Sequence, residues 1–292
     1  MKKRKNIDFR TGRFGTGKET KKFFVVFFAC VLTVLAISSL AILKKYDFDV
    51  KRAISGEAKT EPTTEVVSSG IPEVDGERTY FFWCTNGSRN ELHFAWLVNI
   101  KMPERRATVC AVPPETLVNY NGSVSSIENV LSKTGDKEFV SIVEATFGSK
   151  IDGYISSDET DFRTMINYFG GIEVTVPEQV EYRNAGLTLI LVKGKQNLKG
   201  DSLFKYLCYL DTLGAKGNAS QALVMGDILK GVFKPSRVNK TDSAFAKISN
   251  TLDTDISIVE FSKVEKAIKI LCEYGFEAVS TVDKPDDIEK EK

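Results

Sequence analysis

The chain has 292 residues, 42% of them apolar and 27% charged, an ordinary composition for a protein with a real core and length enough for one large domain or two small ones. Forty basic side chains nearly cancel 39 acidic ones, and a lone histidine, His93, excludes a multi-histidine metal site. No CxxC or Cys/His spacing suggests zinc.

The near-cancellation of charge hides an asymmetry at the N-terminus. Residues 1–22 carry nine Lys or Arg against Asp8 and Glu19, and they run into FFVVFFACVLTVLAISSLAIL, an uncharged stretch of 21 residues from Phe23 to Leu43. At about 1.5 Å rise per residue, a helix of that length covers the roughly 30 Å hydrocarbon core of a bilayer. Lys44, Lys45 and Tyr46 come next, where a cleaved leader would have small residues, so the reading is a retained anchor. The basic head places the N-terminus in the cytoplasm and the rest outside, as a single-pass protein of the cell membrane.

From 44 to 78 the composition shifts to Lys, Glu, Thr, Ser, Gly and Pro without an apolar period, which predicts a flexible tether. TYFFWCT (79–85), HFAWLVNIK (93–101) and ATVCAV (107–112) then read as successive strands, broken by NGS and MPER. Pro113 and Pro114 end the third: proline has no amide hydrogen and a fixed φ, so the chain beyond them turns out of the sheet. SIENVLSKTG and KEFVSIVEATFG show helical spacing, GYIS is a short strand, and DETDFRTMINYFGG predicts a helix that starts after an Asp or Ser cap and stops at Gly170 and Gly171. IEVTVP alternates as a strand. LTLILVKGKQNLKG looks like a hairpin, and DSLFKYLCYL, NASQALVMGDILKGVF and SIVEFSKVEKAIKILCEYG predict helices. DKPDDIEKEK, 283–292, reads as a disordered tail.

Strands and helices interleave, so the expected fold class is α/β: αβα layers with a mixed central sheet flanked by helices, preceded by the transmembrane helix. The expected divisions are 1–22, 23–43, 44–78, 79–282 and 283–292. Cys30 lies in the anchor; Cys84, Cys110, Cys208 and Cys272 lie beyond it, an even number that permits disulfides, although three of the four stand in apolar runs as buried free thiols do.

The order of anchor, tether, strand pair, VPPETLV, helical pair, GSKIDGYISSD, YFGGIEVTVP and KGKQNLKGDSLFKY resembles the LytR-CpsA-Psr family of bacterial envelope proteins, whose older label speaks of transcriptional attenuation. The resemblance is good over roughly 79–235 and extends to FAKISNTLDTDISIVEFSKVEKAIK. It implies transfer of a cell-wall glycopolymer from an undecaprenyl pyrophosphate carrier to peptidoglycan, with arginines on the diphosphate and carboxylates on Mg²⁺. Arginine's planar fork suits paired phosphate oxygens, and Mg²⁺ takes hard oxygen ligands.

Carried over by position, the family's motifs meet substitutions here. Its Gly-Thr-Asp falls on Cys84, Thr85 and Asn86; its Arg-x-Asp on Glu91, Leu92 and His93; its Pro-Arg-Asp-Thr on Pro113, Pro114, Glu115 and Thr116. Its Arg-x-Arg falls on Cys208, Tyr209 and Leu210, and its Arg-x-x-Arg-Gln-Gln on Asn218 through Leu223, with Gln221 in the second arginine's place. No aligned arginine survives. Arg89 is a candidate displaced phosphate contact and Glu115 a candidate metal ligand, while Arg105 and Arg106 belong to a turn at the opposite strand ends, and Arg163 and Lys205 read as surface charge.

The expectation is therefore a degenerate member that binds or scaffolds in cell-wall glycopolymer assembly, with polyprenyl-linked glycan, peptidoglycan and other envelope proteins as candidate partners and no nucleic acid. The alternative is an active phosphotransferase with a rearranged site using Arg89, Glu115 and Asp211, and Mg²⁺ as cofactor only in that case. DSLFKYLCYL and ALVMGDILKGVF are candidate walls of a slot for a polyprenyl tail.

Overall fold

A computed structural model describes residues 76–184 and 187–288, so the predicted basic head, anchor and most of the tether lie outside the described residues. Among the described residues no helix is long and apolar enough to cross a membrane.

The strands are β1 (Glu77–Thr85), β2 (Leu92–Lys101), β3 (Arg106–Ala111), β4 (Leu117–Tyr120), β5 (Ser123–Ser126), β6 (Gly153–Asp158), β7 (Ile172–Val176), β8 (Val180–Asn184), β9 (Leu187–Leu191), β10 (Gly194–Leu198), β11 (Asp253–Thr254) and β12 (Ala278–Val282). The helices are α1 (Ile127–Leu131), α2 (Asp136–Phe147), α3 (Glu159–Tyr168), α4 (Gly200–Asp211), α5 (Ala215–Val232), α6 (Thr241–Thr251) and α7 (Ile258–Tyr274), with 3₁₀ turns at Pro235–Lys240 and Pro285–Asp287.

Six strands form the central sheet in the order β11-β6-β1-β2-β3-β12. β1 pairs antiparallel with β2 and β2 with β3, while β6 lies parallel to β1 and β12 parallel to β3. The carboxyl ends of β6, β1, β3 and β12 therefore share one edge of the sheet, where ligands of open α/β sheets bind.

Alternation along β1 and β2 divides two cores. Phe81, Trp83, Ala95 and Leu97 face α1 and α2, and Cys84, Phe94, Trp96 and Val98 face α4, α5 and α7. The expected αβα layering holds. On the first face Phe81, Trp83, Phe139 and Tyr154 stack with ring centroids 5.1–5.7 Å apart, and each such pair contributes about 0.5–1.5 kcal/mol beyond area burial.

The three opening strands, the helix ended by Gly170 and Gly171, and the helices α4, α5 and α7 lie where the sequence predicts them. Asp158 caps α3 by accepting from the Asp161 amide, and Ser257 and Glu260 form a capping box on α7. Both Gly170 and Gly171 have φ of +85°, and a Cβ on Gly171 would stand 2.4 Å from the Asn197 Oδ1.

LTLILVKGKQNLKG is not a hairpin. Its first half, β9, pairs with β8, and its second, β10, pairs with β7. β10 has the polar alternation that fits a partner exposed on one face, and β7 supplies it with buried Ile172, Val174 and Val176 alternating with exposed Glu173 and Thr175.

Residues 283–288, assigned to the tail from composition, make the turn at Pro285–Asp287 and bury Ile288 completely in the α1–α2 core. Cys84, Cys110, Cys208 and Cys272 are free thiols. Burial pushes Cys110 and Cys208 up to about 12, and Cys84 higher still, so they act as packing groups rather than nucleophiles.

Candidate functional site

The predicted cleft residues gather at the shared carboxyl edge, but with different duties. At the end of β1, Asn86 closes the turn to β2. Its amide nitrogen donates to the Glu91 carbonyl at 3.1 Å, its Nδ2 to the Asn90 Oδ1 at 2.6 Å, and its Oδ1 accepts from the Asn90 amide at 3.2 Å. Arg89 leaves that turn with φ of +56° and its Nη2 reaches Asp136 at the start of α2, 2.5 Å away. Its charge is committed there rather than in the cleft.

The pairing of β1 with β2 slips between Cys84 and Thr85, so that Phe94 and Leu92 are their partners and His93 is the extra residue of a bulge. A bulge re-aims one side chain. The His93 ring turns to Glu159 at the start of α3, 2.9 Å from Nε2, with Glu91 3.7 Å from Nδ1 and the Phe204 ring edge-on at 5.1 Å.

After β3, the Pro113 carbonyl accepts from the Thr116 amide and the Pro114 carbonyl from the Glu128 amide, which packs VPPET against the start of α1. Glu115 is exposed at the tip. Glu128 also accepts from the Leu92 amide at 3.0 Å. Asp211, at the end of α4, completes the group: burial pushes its carboxyl up to about 6, Glu115 and Glu128 push in the same direction, and His93 opposes them. Cys208, half-buried one turn earlier, feels Glu159, Asp211 and Glu91.

Asn218 lies in the first turn of α5, beside an open cavity of about 430 Å³ shared with Ala111, Lys216 and Asp283. Leu210 and Gln221 are core residues, 3% and 1% exposed. The Gln221 Nε2 donates to the Leu207 carbonyl at 3.0 Å, and its own backbone carbonyl accepts from the Trp96 indole at 3.1 Å, so this residue ties α5 to α4 and to β2.

The cations that reach the cleft are already neutralised. Arg163 pairs with Glu159 at 3.2 Å and with Asp201 at 3.7 Å, and lies over the Phe204 ring at 4.2 Å; Lys205 pairs with Asp201 at 2.7 Å. The sequence singles out Glu115 and Asp211 but gives no sign of Glu128 and Glu159. Both are first-turn acids of a helix, where a carboxylate is expected for its own sake. Glu115 and Glu128 add to the burial that raises the Asp211 carboxyl, yet among the described residues no three His, Cys, Asp or Glu side chains are arranged to hold a metal ion. These acids do not form an all-protein cage, and Mg²⁺ ordinarily takes only one or two carboxylates together with substrate phosphates and water.

Behind the cleft, Phe94, Phe162 and Phe204 form an aromatic wall with centroids 5.0–6.3 Å apart. On its inner side two apolar cavities of about 180 and 150 Å³ adjoin, sharing Phe82, Ile155, Phe169, Leu229, Phe233 and Ile248. The first includes Phe94 and Ser157 near the cleft, and the second reaches Tyr80 and Met102 at the opposite sheet edge. Together they form a slot between the sheet and α3, α5, α6 and α7. The ALVMGDILKGVF helix lines it, whereas DSLFKYLCYL packs against the sheet instead.

A mixed sheet between helical layers, with a charged cleft at its carboxyl edge and apolar cavities beneath the helices, defines an αβα domain. A family model described as the LytR_cpsA_psr family matches residues 74–285, and the chain belongs to that family. The resemblance read from YFGGIEVTVP and KGKQNLKGDSLFKY is borne out. A curated relative, the polyisoprenyl-teichoic acid–peptidoglycan teichoic acid transferase TagV of Bacillus subtilis (strain 168), is 26% identical over 188 residues, 61% of this chain and 48% of that protein. The match thus spans about half of the relative's length. The crystal structure of B. subtilis TagV aligns with a TM-score of 0.59 at 22% identity, over 72% of this chain and 85% of that one. The LytR-CPS2A-psr family protein YwtF (TagT), solved with bound octaprenyl pyrophosphate lipid, aligns at 0.50 and 17% identity, over 73% and 81%. At these identities the structures establish a common fold.

Proposed function

We infer that this protein is an envelope member of its family that retains a slot for a polyprenyl tail and acts in cell-wall glycopolymer assembly by binding or scaffolding rather than by transfer. The observation that carries this reading is the charge state of the cleft. Arg89 is committed to Asp136, Arg163 to Glu159 and Asp201, and Lys205 to Asp201, while Glu115 and Glu128 press negative charge on the half-buried Asp211. A diphosphate entering there meets carboxylates without a free guanidinium group among the described residues of the cleft. Each missing charge-assisted bond removes about 1.5–3 kcal/mol.

The tail needs only apolar area, and the slot offers it. The relative solved with bound octaprenyl pyrophosphate lipid supports a polyprenyl-linked lipid as the ligand class. The predicted anchor over 23–43 would hold the domain at the outer face of the membrane, where such lipids are presented, with peptidoglycan and envelope proteins as the remaining partners and no nucleic acid.

Filling the slot tests the reading. Ile228 lines it from α5, and Ile228→Trp should weaken binding of a neutral polyprenol to the full chain at least about tenfold, since losing a few buried methylenes' worth of contact removes more than about 1.4 kcal/mol. Undiminished polyprenol binding by the folded variant would place the tail elsewhere and overturn the proposal.

A further inference from the structure

Two carboxylates hold three nitrogen-bearing side chains in a row beside the cleft. Glu159 divides its oxygens between two of them: Oε1 lies 2.9 Å from the His93 Nε2, and Oε2 accepts from the Arg163 Nη2 at 3.2 Å. Asp201 repeats the arrangement one step on, with Oδ1 3.7 Å from the Arg163 Nε and Oδ2 2.7 Å from the Lys205 Nζ.

The row does not depend on those acids for its place. A bulge re-aims His93, whose ring meets Phe204 edge-on at 5.1 Å, and the Arg163 guanidinium lies over the same Phe204 ring at 4.2 Å. Lys205 is the next residue of α4. The first turn of α4 is locked against α3 by close backbone packing: the Gly200 amide donates to the Asn167 Oδ1 at 3.0 Å, and a Cβ on Gly200 would stand 2.3 Å from the Arg163 carbonyl oxygen. Exposure separates the two sets. The side chains of His93, Arg163 and Lys205 are 11, 29 and 24% exposed, against 34 and 60% for Glu159 and Asp201. The donors thus belong to the frame, and the carboxylates are their more exposed partners. Exposed ion pairs add little stability, so stability alone does not account for such a chain of contacts.

A pair of oxygens shared between a guanidinium and a neighbouring N–H is how a phosphate group is held. We propose that His93, Arg163 and Lys205 form an anion-binding row shut by an autoinhibitory contact, in which Glu159 and Asp201 occupy the places of the two phosphate groups of a diphosphate. Two anionic groups flanking one guanidinium suit a diphosphate better than a lone carboxylate. The proposal rests on the reading that these cations are committed, and it adds that they are blocked in place rather than misplaced. The two acids are internal competitors, so the wild-type cleft refuses free pyrophosphate, and removing their charge without changing their shape opens the row. Glu91, 3.7 Å from the His93 Nδ1, and Asp211 at the end of α4 remain as opposing charges and limit the gain.

The test is calorimetric titration of the full chain in mild detergent with inorganic pyrophosphate, without Mg²⁺. The double variant Glu159→Gln with Asp201→Asn should bind at least about tenfold more tightly than the wild type, the share of one charge-assisted bond. Glu159→Gln alone should show part of that gain, which keeps the test valid if the double variant does not fold. Adding Arg163→Gln should remove the gain. No gain in a folded variant overturns the proposal, and so does a gain that survives Arg163→Gln, which would reflect overall surface charge. Tight binding by the wild type would instead sink the reading of committed cations underneath it.

Discussion

Asp211→Asn should make the protein more stable at neutral pH. Burial, reinforced by Glu115 and Glu128, pushes the Asp211 carboxyl from 3.8 to about 6. The folded state then holds this proton more tightly than the unfolded chain does. Below about pH 4 both states are protonated and the group costs nothing; as pH rises toward 6 the unfolded chain ionises freely while the folded one resists, and stability falls. A rise of that size sets a ceiling of about 3 kcal/mol. Asp211 is only half-buried, and screening by solvent cuts that to about 1–2 kcal/mol. Asparagine removes the charge and the penalty together. Urea unfolding of the full chain in mild detergent, followed by Trp83 and Trp96 fluorescence, would read the gain as a higher midpoint at about pH 7.5 that shrinks toward zero near pH 4. Destabilisation at the higher pH, or a gain that does not change with pH, would refute the account of crowded carboxylates.

Two further substitutions test the frame around the cleft. Gly217 lies in the first turn of α5, where a Cβ would stand 1.7 Å from the Leu210 carbonyl oxygen; Gly217→Ala should cost about 1–3 kcal/mol by overpacking despite the roughly 1 kcal/mol it gains in helix propensity, and a rise in Tm would contradict that. Gln221→Ala should lose about 2 kcal/mol or more, because it breaks the bond to the Leu207 carbonyl and opens a void in the core. A loss of ligand affinity with unchanged stability would instead put Gln221 back in the site.

How far the sequence can be read depends on how local the signal is. β1, β2 and β3 are aromatic and β-branched runs bounded by turns, and α3 and α7 carry their own caps, so each is visible without its neighbours. β9 and β10 mislead because their adjacency suggests a turn while their pairing is decided by β8 and β7. β12 and β11, with five and two residues, are strands only because β3 and β6 offer edges. The cleft shows the same division. Missing arginines can be seen in the aligned motifs, but whether the remaining cations are free cannot: Arg89 meets Asp136 across 47 residues, and His93 meets Glu159 across 66.

The most direct measurement is a calorimetric titration of the full chain with a polyprenyl pyrophosphate, with and without Mg²⁺, set beside the matching polyprenol. With the cleft's cations already paired, the diphosphate should add nothing to the affinity of the tail, and Glu115→Ala should leave it unchanged. Micromolar, Mg²⁺-dependent binding that Glu115→Ala abolishes would contradict the account.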